Sequence, residues 1–311
     1  MPCLIVSFTR VEGVRSILAS LPLNLVTKVY VAIDGPRSVK DEELQSAIRL
    51  LLEDFSAKNG IEVKIWQRQT NLGVAVSIIS AIDWLFSIEE FGIIIEDDLL
   101  LGPETFEYFA SNISHYRESE DVMLISGNQF FTDQISGEWT HYPLIWGWAT
   151  WQMKWSELRL GILKGPSLVD FIKISPVSGF WLGGALRVLR GSLDTWDIPL
   201  ANYMYSKKLF CKLPIENRIS NIGNDKHATH TIQNVFPLNV PTSTSVFDGS
   251  NLGSPSHSEA RKIDLELNKR VFKIKLRHIL LPLYVLFFES AWLKQNVKLK
   301  DRLAKVVLPN H

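Results

Sequence analysis

The sequence predicts an α/β protein with a mostly parallel central sheet flanked by helices. Three observations carry this. Strand-like runs alternate with helical runs through the first 127 residues, a pattern that builds parallel sheets through right-handed crossovers. The run Gly92-Ile93-Ile94-Ile95 is apolar without alternation, which suits a central strand covered on both faces. Four polar turns, at 7–10, 34–35, 71–73 and 96–98, follow predicted strands. They fall on the carboxyl edge, where open sheets hold their ligands.

The elements follow in order. Cys3 to Thr9 reads as a strand and Arg10 to Leu21 as a short helix. Thr27 to Ile33 is a second strand, ending in Asp34-Gly35-Pro36-Arg37. From Asp41 to Lys58, Leu44, Ile48, Leu51, Leu52 and Phe55 form one helical stripe. Ile61 to Gln67 alternates as a strand, and Asn71-Leu72-Gly73 breaks it before a helix from Val74 to Phe86. After the Gly92 strand come a helix from Pro103 to about Tyr116 and a strand from Val122 to Ser126. Beyond Phe130 the pattern is less regular. His141 to Trp151 is aromatic and interrupted by Gly147, which permits close backbone approach or an unusual turn. Leu168 to Gly191 is mostly helical, and Asp194 and Asp197 stand near the start of another helix. Ser220 to Thr231 is a polar loop with two histidines, and Phe236 to Pro255 has the composition of a linker.

Composition narrows the class. The 311 residues carry 33 basic and 33 acidic side chains, so nothing marks a nucleic-acid partner. Cys3 and Cys211 are the two cysteines and suggest neither a disulfide framework nor a zinc site. The chain enters a strand directly, without a basic leader, and no apolar run approaches the roughly 20 residues of a membrane span. A cytoplasmic protein is expected. The segment 261–311 differs: it holds 12 basic residues against 4 acidic ones, around an apolar run from His278 to Phe288. It is suited to lie in a bilayer interface against anionic head groups, which would place the protein at the inner face of the cell membrane. It suits equally a C-terminal helix packed on the domain with a solvated basic face.

The chemistry concentrates in Glu96-Asp97-Asp98. Three adjacent carboxylates at a strand end repel each other, and burying each uncompensated ion costs several kcal/mol or so. A divalent metal carrying a phosphorylated ligand resolves this. A solvated acidic turn, with Asp97 or Asp98 capping a helix, is the plainer alternative. Strand alternation would send Glu96 and Asp98 one way and Asp97 the other. No Gly-x-Gly-x-x-Gly follows the first strand and no P-loop occurs, which argues against a dinucleotide or Walker-type site.

Several motifs occur together in a fixed order: Phe8-Thr9-Arg10, Ile33 to Arg37, Asn71-Leu72-Gly73, Gly92 to Asp98, Ile125-Ser126-Gly127, Trp146 to Trp151, Asp194-Thr195-Trp196-Asp197, and Ser220 to Gly223 with Ala228 to Thr231. In this order they resemble bacterial nucleotide-sugar glycosyltransferases of GT-A fold, a Rossmann-like nucleotide-diphospho-sugar transferase fold. More distantly the chain is similar to the N-acetylglucosaminyltransferase I type, which transfers GlcNAc from UDP-GlcNAc with inversion. The resemblance implies a glycosyltransferase domain over 1–235, with a nucleotide-sugar half (1–127) and an acceptor half (128–235). A linker (236–260) and the basic segment (261–311) follow. It implies that Ser7 and Arg10 meet the base and ribose, that Asp34 with Gly35 binds base or ribose, and that Asn71 and Gly73 border the donor. Asp98 matches the protein ligand of Mn²⁺ (or Mg²⁺) on the diphosphate, with Glu96 and Asp97 orienting sugar hydroxyls and water. Asn221, Gly223 and His230 match a segment that closes over the diphosphate, and Asp197 matches the general base.

Each role has a plainer alternative. Asp197 or Asp194 also suits an N-cap, and Asp194 is the second choice of base. His230 suits a metal or diphosphate contact or a structural role. Arg10 and Arg37 suit phosphate or base contacts, or plain surface charge. One or two of the clustered tryptophans would stack on an acceptor sugar while the others form core. The expected function is metal-dependent inverting transfer to a saccharide or lipid-linked saccharide acceptor, in surface polysaccharide or glycolipid synthesis. A nucleotidyltransferase is a second class, but Ser7 to Gly13 lacks its glycine-rich, lysine-bearing loop. A non-catalytic carbohydrate-binding protein on the same frame is a third.

Overall fold

A computed structural model describes residues 1–131, 137–166, 175–223, 240–245, 247, 249, 252–287 and 299–309. In chain order the elements are β1 (Pro2–Ser7), α1 (Val11–Ser20), β2 (Lys28–Ile33), α2 (Val39–Asn59), β3 (Glu62–Gln67), α3 (Val74–Phe86), β4 (Phe91–Glu96), β5 (Leu99–Leu101), α4 (Thr105–His115) and β6 (Val122–Ser126). There follow β7 (Trp139–Thr140), β8 (Trp148–Trp151), α5 (Gln152–Lys164), α6 (Pro176–Leu189), α7 (Asp197–Lys207), β9 (Phe210–Lys212), β10 (Ile219–Asn221), α8 (His257–Glu266), α9 (Leu281–Phe287) and α10 (Leu299–Leu303).

The expected α/β architecture is present. The main sheet runs β3-β2-β1-β4-β8-β6-β9-β7, and its first four strands are parallel. The lack of alternation in β4 has the expected cause. Ile93 and Ile95 face a core shared with Val14, Ile17, Ile48 and Phe109 of α1, α2 and α4. Ile94 faces the opposite core, shared with Val76 and Ile79 of α3.

The second half of the sheet departs from the sequence reading. Trp148–Trp151, expected only as an aromatic stretch, is a strand inserted antiparallel between β4 and β6. All four of its residues are buried, so no period-2 signal marks it. Gly147 turns the chain into β8 with φ 62°, and a Cβ there would overlap Ile219. Helix α4 begins at Thr105 rather than Pro103 because Glu104 adopts φ 53°. Strand β1 stops at Ser7 because the Phe8 N–H donates to the Asp97 carboxylate at 2.9 Å instead of extending the ladder. Both cysteines are buried and unbridged.

A two-stranded sheet pairs β10 with β5, just beyond the acidic triplet. Residues 240–245 and 252–253 lie against the domain: the Ser243 N–H donates to the Asn217 carbonyl at 2.7 Å, and the Tyr116 hydroxyl donates to the Gly253 carbonyl at 2.5 Å. Asp264 of α8 accepts from the Thr140 hydroxyl (2.6 Å) and the His141 N–H (3.0 Å). Residues 276–287 lie on α6, where Cβ atoms at Gly179 or Gly183 would overlap His278 or Leu281. Leu276 and Leu280 face solvent, 77% and 63% exposed. No helix among the described residues is long and apolar enough to cross a membrane.

Candidate active site

The parallel register puts Ser7 beside Ile33, and Val6 beside both Ala32 and Glu96. The ends of β1, β2 and β4 are therefore one edge. They open into a cavity of about 330 Å³ bordered by Ser7, Arg10, Asp34, Asn71, Gly73 and the three acids Glu96, Asp97 and Asp98. Phe8, Arg37 and Asp194 join its wall, and the Arg37 guanidinium lies 4.4 Å over the Phe8 ring.

The triplet is not arranged by strand alternation. β4 ends at Glu96, and Asp97 and Asp98 sit in a turn. Arg10 Nη1 is 3.0 Å from Asp98 Oδ2 and 3.9 Å from Asp97 Oδ1. The two aspartates therefore share one guanidinium instead of pointing to opposite faces. Asp97 Oδ2 also accepts from the Ser7 hydroxyl (2.8 Å) and the Phe8 N–H (2.9 Å), stitching β4 to β1. Burial nevertheless pushes the Asp97 carboxyl up to about 6. Asp98 is also raised, by burial that outweighs the pull of Arg10 and Asn221. The Glu96 side chain makes no hydrogen bond or ion pair among the described residues. Burial, then the charges of Asp98, Asp97 and Asp197, hold it well above the ordinary glutamate range.

Asn221 and Gly223 reach Asp98 through β10. The Ile222 N–H donates to the Asp98 carbonyl at 2.9 Å, and the Gly223 N–H donates to Asn221 Oδ1 at 2.7 Å. A Cβ on Gly223 would overlap the Asp98 carboxylate. His230 lies outside the described residues. Gly13 of α1 is a position sequence reasoning passed over. A Cβ there would overlap the Asp97 carbonyl oxygen, so the helix backbone rests directly on the acidic turn. Gly13→Ala is expected to destabilise the fold by about 1–3 kcal/mol through overpacking, read as a lower denaturation midpoint with an unchanged denaturant slope.

Asp34 is buried and accepts from the Gly35 N–H (2.9 Å) and the Leu72 N–H (3.0 Å), and burial raises its carboxyl. Asn71 Nδ2 donates to the Gly35 carbonyl at 3.0 Å. The two turns touch backbone to backbone, and a Cβ on Gly35 would overlap the Thr70 carbonyl. Gly73 has φ 75° and is the N-cap of α3.

Asp194 is committed elsewhere. Its Oδ2 accepts from the Val74 N–H at 3.0 Å and its Oδ1 pairs with Arg302 at 3.1 Å. Arg302, on α10, also donates to the Leu72 carbonyl. This arginine thus ties the 71–73 turn to the 194–197 loop, a link invisible in the sequence. Arg302→Ala is expected to weaken nucleotide binding several-fold by calorimetry, and Arg302→Lys to restore part of it, since lysine keeps the charge but not the fork.

Asp197 opens α7. Its Oδ1 accepts from the Ile198 N–H at 2.8 Å and from the Thr195 hydroxyl. Oδ2 has no partner among the described residues. The Asp197 charge is felt at Glu96, while its side chain borders a second cavity of about 330 Å³ with Asn128, Thr195, Trp146, Phe180 and Trp181. Trp148, Trp155 and Trp196 are core, packed ring to ring. Trp146 is half-buried, with the Phe130 ring 4.9 Å away.

No family model matches the chain, and no curated protein matches it. Among solved structures it is similar to residues 1–349 of Staphylococcus aureus TarS (13% identity, TM-score 0.38), over 97% of this chain and 76% of that one. It is also similar to a Bacillus anthracis protein assigned as a glucose-1-phosphate thymidylyltransferase, in complex with sucrose (9% identity, TM-score 0.38), over 71% of this chain and 89% of that one.

Proposed function

We propose that the chain is a metal-dependent inverting glycosyltransferase of GT-A type. It would move a sugar from a nucleotide-diphosphate donor, with a UDP-sugar such as UDP-GlcNAc favoured, to a saccharide or lipid-linked saccharide acceptor. One observation carries the reading: Glu96, Asp97 and Asp98 meet at a sheet edge, near enough to Asp197 for its charge to be felt at Glu96, with Arg10 against the two aspartates and Arg37 in the same wall. That surplus of negative charge fits a divalent cation. Among the described residues no three acids, histidines or cysteines form a ready-made metal cage, so Asp98 would hold Mn²⁺ or Mg²⁺ together with diphosphate oxygens. The ion would neutralise the charge that grows on the leaving diphosphate.

The remaining chemistry belongs to the chain. Among the described residues the Glu96 side chain has no partner to give up, and it would accept a hydrogen bond from a hydroxyl of the donor sugar. Asp197 borders the second cavity, and Thr195 and the Ile198 N–H occupy Oδ1, so Oδ2 would be the atom that acts as base. A hydroxyl bound in that cavity would lose its proton to Oδ2 as it attacks the anomeric carbon from the face opposite the diphosphate, which gives inversion. Arg10, Asn221 and Gly223 line the approach to Asp98 and would meet the diphosphate.

The test is a thermal-shift and hydrolysis panel of UDP-, GDP- and dTDP-sugars with Mn²⁺, Mg²⁺ or chelator, since a ligand stabilises the state it binds. A metal-dependent shift with at least one nucleotide sugar, and slow release of its sugar, is expected. No shift and no hydrolysis across the panel overturns the reading. Nucleotide sugar made from a nucleoside triphosphate and a sugar 1-phosphate would establish the nucleotidyltransferase instead.

A further inference from the structure

The cavity beside Asp197 has a composition that the chemistry above leaves unexplained. Its polar side chains are Asn128, Thr195, Asp197, Tyr142, whose hydroxyl donates to Asn268, and the indoles of Trp146 and Trp181; the rest of the wall is apolar, with Phe130, Leu144, Phe180, Leu193 and Phe272 prominent. A free sugar placed there would bury several hydroxyls with few partners, which is unfavourable. Apolar atoms lose nothing by entering it, and its volume of about 330 Å³ falls within the range of small-molecule sites.

Phe272 connects this wall to the C-terminal segment. Directly after it come exposed Lys273, Lys275 and Arg277, with Leu276 and Leu280 facing solvent on the same segment. The Phe180 ring meets His278 of that segment at 5.0 Å. One wall of the cavity therefore belongs to, and another rests on, a segment whose exposed residues are basic and apolar, of the kind that meets anionic lipid.

We infer that this cavity seats the hydrocarbon part of an amphiphilic acceptor, whose hydroxyl is presented to Asp197. The assignment rests on the glycosyltransferase reading for the role of Asp197. The recognition itself is hydrophobic, and each methylene buried strengthens binding about fourfold.

The probe is n-octyl β-D-glucoside below its micelle concentration, compared with methyl β-D-glucoside. Trp146 and Trp181 border the cavity and report binding through intrinsic fluorescence. Saturable binding of the octyl glucoside, at least tenfold tighter than that of the methyl glucoside, is expected. Leu193→Trp fills the cavity and should abolish this difference while the thermal shift with Mn²⁺ and UDP persists. Phe180→Ala removes one wall and should reduce the difference severalfold, deciding the matter if the first variant does not fold. Equal binding of the two glucosides overturns the inference, as does octyl binding undiminished in the folded variants. Octyl binding with no turnover of any nucleotide sugar would leave the cavity assignment standing and remove the enzyme reading. Donor turnover indifferent to the chain removes the cavity assignment alone.

Discussion

Asp197→Asn is expected to lower transfer by about 10²–10⁴-fold, the usual worth of a positioned general base, with donor affinity within a few-fold of wild type. The substitution keeps the shape of the side chain. Oδ1 still accepts from Thr195 and from the Ile198 N–H, so α7 starts as before. What changes is the other atom, where an amide NH₂ replaces Oδ2, which has no partner among the described residues, and cannot take a proton. Two small effects on stability oppose each other. A negative charge is lost from a helix N-terminus, where it is worth about 0.3–1 kcal/mol, and the repulsion between Asp197 and Glu96 is relieved. Single-turnover transfer and calorimetry on the same preparation separate the chemistry from binding. Transfer near the wild-type rate would move the base to another group.

Asp98→Ala is expected to abolish the metal dependence of nucleotide diphosphate binding and to weaken that binding at least 100-fold in the presence of Mn²⁺. No other described carboxylate is placed to substitute. Asp97 is held by Ser7 and the Phe8 N–H, and Glu96 is the carboxylate assigned above to a donor hydroxyl. The free protein should suffer little, because the half-buried Asp98 adds to the burial and like charge that raise the Glu96 carboxyl, and this offsets the loss of its pair with Arg10. Its removal leaves less repulsion in the fold, so the melting temperature without ligand should hold or rise while the shift produced by Mn²⁺ and UDP disappears. This opposition between stability and binding is common where a site concentrates like charge. Unchanged affinity by calorimetry would take Asp98 out of the metal's coordination.

Much of the sheet edge that forms the candidate site was legible because its signals are local. An apolar run, a stripe every three or four residues and a polar break each declare an element within a dozen positions. Val74–Phe86 and Val122–Ser126 match the expected spans residue for residue. The turns at 7–10, 34–35, 71–73 and 96–98 could be assigned to one edge because parallel strands connected by helices end on the same side. The side on which each acid would point was misread, because the alternation of a strand was extended two residues past its end.

The sequence by itself determined the parallel half of the sheet and the gathering of carboxylates at its edge, since both follow from periodicity and from connection geometry. Only the tertiary structure decided that Trp148–Trp151 enters the sheet antiparallel, that β10 brings Asn221 to Asp98, and that Arg302 ties Asp194 to the 71–73 turn. These are pairings between residues far apart along the chain. They are chosen by which backbone edge and which buried charge remain unsatisfied once the rest has packed, and no local pattern records that choice.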